Sequence, residues 1–325
     1  VNFAKVIQDI SEEEGEVSPE RVYDTFIEQY VDIKEPYEFI KQKLNDIITY
    51  GIVIAAFVIM QILINAGEIS SLFQGLMVPL CTYIILAISL NLVVGILGEL
   101  SLGHAGFMCV GAFTSSFFSK AMQDTITNST VRFLLALLIG IITAAIFGII
   151  IGIPVLRLNG DYLAIVTLAF GEIIKNLVNV LFIGKDSKGF HFSTKDAVSL
   201  NMEPDGKIIL NGPQGITGTP NDSTFFIGFI LILVTLFIVL NLIHSRDGRA
   251  IMAIRDNRIA AESIGINITK YKLMTFTISA AMAGAAGVLY AHNLSNLTAN
   301  TNNFGYNMSI NILVFVVLGG IGNIR

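Results

Sequence analysis

The chain is 325 residues long, 53% hydrophobic and 14% charged, with a mean hydropathy of +0.70. Water-soluble domains carry about 25% charged residues. Charges this sparse cannot cover a surface in water, and the apolar content excludes a disordered chain. The net charge of −5 is uneven: residues 1–46 hold 5 basic and 12 acidic residues, whereas the remainder carries +2.

The acidic segment 1–46 reads as a separate cytoplasmic N-terminal extension. It lacks the basic and apolar stretches of a signal peptide. Ser18-Pro19-Glu20 suits a helix start, with a capping hydroxyl followed by Pro at the first helical position. Val22, Phe26, Ile27 and Tyr30 then recur at helical spacing, Pro36 interrupts, and Tyr37, Phe39, Ile40 and Leu44 resume the pattern.

Apolar runs close to the length a helix needs to cross about 30 Å of hydrocarbon follow at 47–66, 76–97, 101–119, 131–156, 161–183, 224–244, 272–291 and 308–322. The expected fold is all-α, a polytopic membrane protein with about eight apolar spans. The weakest run, 101–119, is rich in Gly and Ser and holds His104, so it is either a full span or a broken or re-entrant segment. Non-helical backbone at that depth needs protein or water around it. Cys81 and Cys109 lie inside apolar runs and read as packing residues.

Residues 245–271 carry Arg246, Arg249, Arg255, Arg258 and Lys270, which marks this loop as cytoplasmic. The long loop 184–223 has four lysines outnumbered by acids and falls outside. With every run spanning, 157–160 and the N-terminus lie inside, in agreement with Lys41 and Lys43 beside the first span.

The basic loop has a regular interior. Asp256 or Asn257 can cap a short helix from Arg258 to Ile264, and Gly265 can end it in the left-handed conformation. Such an element suits docking into a groove of another protein, or is a helical turn in an ordinary cytoplasmic loop. Gly148/Gly152, Gly103/Gly106/Gly111 and Gly284-Ala285-Ala286-Gly287 permit close helix approach. Ionisable groups near membrane depth are Glu99, His104, Asp161, Glu172 and Lys175, and such groups face a bundle interior or a water-filled route. Glu99 and Asp161 fall near span ends, where interfacial water can solvate them. Glu172 and Lys175 are spaced to pair on one helix face. No phosphate-binding loop, metal-ligand spacing or nucleophile–base pattern is present, so no catalytic residue and no metal site is expected.

Four blocks carry a family resemblance: Asn91–Gly111 (NLVVGILGELSLGHAGFMCVG), Leu156–Lys175 (LRLNGDYLAIVTLAFGEIIK), Gly212–Pro220 (GPQGITGTP) and Ser245–Ala291. In this order, across about residues 76–325, they resemble the permease subunits of branched-chain amino acid ABC importers, in particular the M-type partner of the two. The resemblance implies that Arg255, Asn257, Arg258, Ala260, Ala261, Glu262 and Gly265 form the ATPase-coupling loop. As small or ionisable residues near membrane depth, Gly103, His104, Gly106, Asp161 and Glu172 are candidates for the translocation pathway. The resemblance turns Gly212, Pro213, Gly215 and Gly218 toward a substrate-binding protein.

The implied function is translocation of leucine, isoleucine and valine, with urea or short amides as the alternative cargo and an ion-coupled secondary transporter as the competing class. The implied partners are a second permease subunit in a heterodimer, two cytoplasmic ABC ATPases, an extracytoplasmic binding protein and the lipid bilayer. ATP and Mg would be bound by the ATPases, no cofactor by this chain, and no nucleic-acid partner is expected. The implied location is the cytoplasmic membrane of a prokaryote. Family members continue past Gly319-Gly320-Ile321-Gly322, so residues 47–325 read as a C-terminally truncated transmembrane domain. Residues 1–46 match nothing in the family pattern.

Overall fold

The computed structural model describes residues 44, 46–67, 70–155, 161–204 and 206–323. The helices expected within 1–43, and Lys41 and Lys43, lie outside the described residues, as do residues 157–160. The chain divides into two units, residues 1–66 and 67–325. In the first, helix α1 (Asp46–Asn65) is apolar around its whole circumference, with Ile47, Ile52, Ile59 and Ile62 all exposed. A helix apolar on every side belongs in lipid or against another apolar surface.

The second unit is a helical bundle with a small β-rich cap. Helix α2 (Ser71–Asn91) starts at Ser70, whose hydroxyl accepts the Phe73 N–H, and runs on as a π-helical turn, Leu92–Leu97. Gly98, at φ +78°, ends that turn in the left-handed region that favours glycine. Helix α3 is His104–Ala121, α4 Ser129–Val155, α5 Asp161–Val180, α6 Phe225–His244, α7 Arg246–Asp256, α8 Arg258–Ser263 and α9 Ile268–Ala291. A one-turn helix α10 (Thr301–Phe304) and α11 (Tyr306–Gly319) close the series.

Among the described residues, six helical segments are long and apolar enough to cross a membrane: α1, α2 with its π turn, α4, α5 (from Tyr162), α6 and α9. The two remaining sequence runs form helices of a different kind. Residues 101–119 contain no break beyond 103: His104–Ala121 is one continuous, almost wholly buried helix. The run 308–322 forms a 14-residue helix ending at Gly319.

Helix α3 can be poor in aliphatic residues because α4, α5 and α9, with α10 and α11, surround it. Helix α9 packs on α2, α3 and α4. The close crossings rest on glycine. A Cβ on Gly111 would lie 2.4 Å from the Gly284 carbonyl oxygen, and one on Gly284 2.4 Å from Ala144 Cβ. Phe107 anchors the centre, edge-on to Phe276 at 5.4 Å and tilted against Phe170 at 5.2 Å.

The all-α expectation needs correction in the 182–217 region. Strands β1 (Phe182–Asp186), β2 (Gly189–Ser193) and β3 (Lys207–Asn211) form an antiparallel sheet in the order β2-β1-β3. β4 (Ile216–Thr217) pairs with β5 (Asn296–Leu297). Asp186 organises the two-residue hairpin between β1 and β2: its carboxylate accepts the N–H groups of Lys188 (2.8 Å) and Gly189 (3.1 Å). These strands are too short for their alternation to stand out from that of a loop.

Candidate functional site

The basic loop folds as two capped helices. The Ser245 hydroxyl accepts the Gly248 N–H at 3.1 Å and starts α7. Asn257, rather than Asp256, accepts the Ala260 N–H at 3.1 Å and starts α8. α8 ends at Ser263, and Gly265 sits at φ +87° with its N–H bonded to the Glu262 carbonyl.

Ala261 is 2% exposed and packs with Ile254 and Ile268, joining α7, α8 and the start of α9. Away from this packing stand Ile259, 81% exposed, and Ile264, 75% exposed, with Arg258, Ala260 and Glu262 also exposed. The packing explains why position 261 is small. The exposed isoleucines were not among the residues singled out from the sequence, although their place on a capped basic helix is a readable signal.

Arg255 ties this pair of helices to the bundle. Its Nη1 donates to the Gly95 carbonyl at 3.1 Å, inside the π turn, and its guanidinium also meets Asp256 at 3.0 Å. A Cβ on Gly98 would lie 2.6 Å from Arg255 Cγ, so the arginine stem passes where any larger residue would stand. The π turn is held on its other side by Asn91, whose Oδ1 accepts the Gly322 N–H at 2.9 Å and whose Nδ2 donates to the Asn323 carbonyl at 2.7 Å. The glycine motif after α11 therefore forms a turn fastened to α2.

The ionisable groups of the core are mostly paired. Lys272 on α9 is buried and donates to Glu99, which follows the π turn. Solvation at a membrane interface therefore does not describe Glu99. Glu172 and Lys175 pair at 2.5 Å as their spacing suggests. Lys175 also donates to Thr301 Oγ1 at 3.1 Å, and Glu172 Oε1 accepts the Tyr306 N–H at 2.8 Å. The pair thus holds α10 and the start of α11 against α5.

His104 is buried where α2, α3 and α9 meet. Ser279 gives its proton to the Ser89 carbonyl at 2.5 Å, so His104 Nε2 donates to the Ser279 oxygen at 2.9 Å. That leaves His104 Nδ1 as a buried acceptor with no partner among the described residues. Gly103 and Gly106 bring α3 onto α5: a Cβ on Gly103 would meet the Thr167 carbonyl at 2.4 Å, and one on Gly106 would meet Gly171 Cα at 2.7 Å. Asp161 opens α5. The candidate pathway residues thus fall on two neighbouring helices, α3 and α5.

The Gly212–Pro220 loop is half buried and half exposed. Gly212 opens a 3-10 turn (Gly212–Gln214), and Gly215, at φ +71°, has no room for a side chain beside Leu297. The Gly218 N–H donates to the Ser295 carbonyl at 2.8 Å, and Thr219 Oγ1 to the Leu294 carbonyl at 2.6 Å. Pro213, Gln214, Thr217 and Gly218 face outward. Nearby, Asp186 also meets His191 Nε2 at 2.9 Å and the Glu203 N–H at 3.3 Å. Burial raises its carboxyl pKa, but these hydrogen bonds together outweigh it and hold the group below the ordinary aspartate value.

No group of three or more His, Cys, Asp or Glu side chains gathers as a metal site among the described residues. No solved structure matches the chain significantly.

Among known sequences, the high-affinity branched-chain amino acid transport system permease protein LivM of Salmonella typhimurium is 36% identical over 250 residues, covering 74% of this chain and 57% of that protein. The chain therefore spans little more than half the length of that relative. The probable branched-chain amino acid transport permease protein LivM of Methanocaldococcus jannaschii is 26% identical over 74% of this chain and 73% of its own length. The fructose import permease protein FruG of Bifidobacterium longum is 27% identical over 79% of this chain and 68% of its own length.

Residues 71–325 match the family described as branched-chain amino acid transport system / permease component. That match covers more than half of the sequence and takes in every helix from α2 to α11, so the chain belongs to this family of multi-pass membrane permeases.

Proposed function

We propose that the chain is a permease subunit of an ATP-driven importer and that α8 is the element through which cytoplasmic ATPases move it. The observation that carries this reading is the two-sided character of α8. Its Ala261 face is locked into the α7–α9 packing, while Ile259 and Ile264 stand out of it in a basic loop. An apolar side chain left bare beside cations on a rigid, capped element is suited to a partner's groove. Arg255 provides a direct mechanical connection from that element to the π turn of α2. Ligand-driven motion requires contacts that differ between two states, and a π turn held by three polar side-chain bonds is a local structure that can exchange them.

In this reading the chain crosses the bilayer eight times, with buried α3 and short α11 counted, and the 184–223 region lies outside. Pro213, Gln214, Thr217 and Gly218 face the binding protein. A second permease subunit completes the pathway, to which α3 and α5 contribute. ATP and Mg are bound by the ATPases, and the chain itself catalyses no reaction. The location is the cytoplasmic membrane of a prokaryote. Leucine, isoleucine and valine are the proposed cargo, in line with the printed names of the LivM relatives. Urea or short amides remain the alternative cargo.

The test is uptake of radiolabelled leucine into vesicles that hold the full-length chain with its partner permease, ATPases and binding protein, with and without internal ATP. Ile259→Asp and Gly265→Pro are expected to abolish ATP-dependent uptake while the protein still inserts. Uptake indifferent to ATP would overturn the proposal in favour of ion-coupled transport. ATP hydrolysis stimulated by the binding protein without leucine uptake would retain the machine and reject the cargo.

A further inference from the structure

Two neighbouring cavities at the sheet-bearing end of the bundle form one amphipathic slot. The first, about 420 Å³, is an apolar groove floored by Phe113, Phe117 and Phe118 of α3 and roofed by Ile183 and Leu210 of the sheet. Ile139 of α4 and Val178 of α5 form its walls. The second, about 290 Å³, is lined by Lys120, Lys185 and Lys207 together with Asp124 and Asp186.

The two adjoin because both supporting elements change character at neighbouring positions. On α3 the phenylalanines give way to Lys120 within one turn. On the sheet, Ile183 pairs with Leu210, and Lys185, two residues further along β1, pairs with Lys207 after a bulge in the register between Ile183 and Gly184.

The groove has no polar group to offer. Its Thr114 and Thr143 hydroxyls lie 2.9 Å apart, each also within reach of a carbonyl of its own helix, so one donates to the other and the other donates to its helix carbonyl. It lies between α4 and α5, whose exposed residues, among them Leu138, Ile142, Ile173 and Leu177, are aliphatic. The groove therefore faces hydrocarbon. The cationic end is only partly neutralised from within, three lysines facing two carboxylates. Lys120 and Lys185 each donate to a backbone carbonyl, of Thr217 (2.6 Å) and Ala121 (2.9 Å), which leaves two of the three ammonium donors on each. Asp186 is turned to His191 and backbone N–H groups, and Asp124 pairs with exposed Lys207 at 3.1 Å.

An apolar trough open to the bilayer, ending in ammonium groups at the membrane surface, has the chemistry of an acyl chain joined to an anionic head. We propose that this slot binds an anionic glycerophospholipid, with one chain between α4 and α5 and its phosphate at Lys120 and Lys185. Such a lipid would wedge α4 and α5 and fasten the sheet to the end of α3. This goes beyond the transport reading and does not depend on which solute is carried.

The chain has no tryptophan, so Phe118→Trp places a single fluorophore in the groove. Leu138→Trp places one on the exposed face of α4 as a control. The full-length chain is reconstituted in vesicles of brominated phosphatidylglycerol or brominated phosphatidylethanolamine at equal bromine content. Quenching of the Phe118→Trp protein is expected to be severalfold stronger with phosphatidylglycerol, and quenching of Leu138→Trp equal in the two. Lys120→Gln with Lys185→Gln should erase the preference, and Lys120→Arg with Lys185→Arg should keep it. If the glutamine pair does not insert, Lys120→Gln alone should still weaken the preference, and an unchanged preference there overturns the proposal. Equal quenching in both lipids, or none, overturns it too. Relief of quenching by added leucine or inorganic phosphate would also overturn it, by assigning the slot to a soluble solute.

Discussion

The Arg255 guanidinium donates to the Gly95 carbonyl across 160 residues of sequence, joining helix α7 to the π-helical turn that follows α2. A π turn breaks the regular ladder of an α-helix, so its carbonyls need other partners. Arg255 supplies one for Gly95, and Asn91 holds the adjacent chain at Gly322 and Asn323.

Replacing Arg255 removes a charge-assisted hydrogen bond of about 1.5–3 kcal/mol. Arg255→Ala is expected to leave insertion and subunit assembly intact, while uptake falls about tenfold and ATP hydrolysis by the partners persists. Arg255→Lys is expected to recover little, because a lysine lacks the planar fork that reaches Gly95 and Asp256 together. Uptake and hydrolysis measured side by side in the same vesicles check this. A parallel fall in both would mean that Arg255 maintains the fold rather than the connection.

The sequence reveals parts of this arrangement according to how local they are. α8 was legible because its signals lie within nine residues: the Asn257 cap, the small Ala260 and Ala261, and Gly265 at the exit. The glycine stripes were legible as packing surfaces because small residues have few other uses inside a span. The π turn was hidden because Arg255 and Asn91, which stabilise it, act from other elements. The Glu99–Lys272 pair was hidden for the same reason, its members lying 173 residues apart. The β-rich cap escaped notice because its register depends on Asp186 and on a second sheet made with residues beyond α9. The weak hydropathy of 101–119 was a correct observation whose cause is burial: protein, not lipid, surrounds α3.

The Glu172–Lys175 pair separates a structural role from an ion-relay role. Removing one member of a buried pair costs about 3–5 kcal/mol, whereas replacing both with neutral groups costs far less. Glu172→Ala and Lys175→Met are each expected to lower the unfolding temperature strongly. Glu172→Gln combined with Lys175→Met should recover most of it, because the introduced amide retains an oxygen for the Tyr306 N–H. Cys81 and Cys109 are free and buried, so a thiol-reactive dye reports unfolding directly. Uptake by the double variant that stays ATP-dependent supports the structural role; loss of uptake in a double variant as stable as the parent would favour a relay.

Gly284 and Gly75 give opposite expectations for the same substitution. A Cβ on Gly284 would lie 2.4 Å from Ala144 Cβ and 2.8 Å from the Gly140 carbonyl oxygen, so α9 and α4 would have to separate. Gly284→Ala is expected to cost about 1–3 kcal/mol through overpacking. Gly75, in α2, has nothing within 4 Å of its Cβ position. Gly75→Ala is expected to stabilise by about 0.5–1 kcal/mol, the helical advantage of alanine over glycine. The thiol assay on the two variants tests both signs, and an unchanged Gly284→Ala protein would show that the helices tolerate a wider crossing.

Asp186 sets the acid limit of the β-rich cap. Burial acts to raise its pKa, but the N–H groups of Lys188, Glu203 and Gly189 and the His191 ring together favour the charged form more strongly, leaving it below the ordinary value. A carboxyl lowered in the folded state contributes stability that is present above its unfolded pKa, about 3.9. That contribution is lost as the pH falls through the folded value. The sheet is therefore expected to hold from neutral pH down to about pH 4 and to loosen below it, with the β1–β2 hairpin opening first. Hydrogen exchange at the β1 and β2 amides, measured on the full-length chain as the pH is lowered, gives the profile after correction for the intrinsic exchange rate. Asp186→Asn removes this titration, so its sheet should be weaker at neutral pH and lose less protection through the acid range. Acid sensitivity unchanged in Asp186→Asn would place the titrating group elsewhere in the cap, at Asp196 or Glu203, whose carboxyls are also held low by Ser199 and by Lys188 respectively.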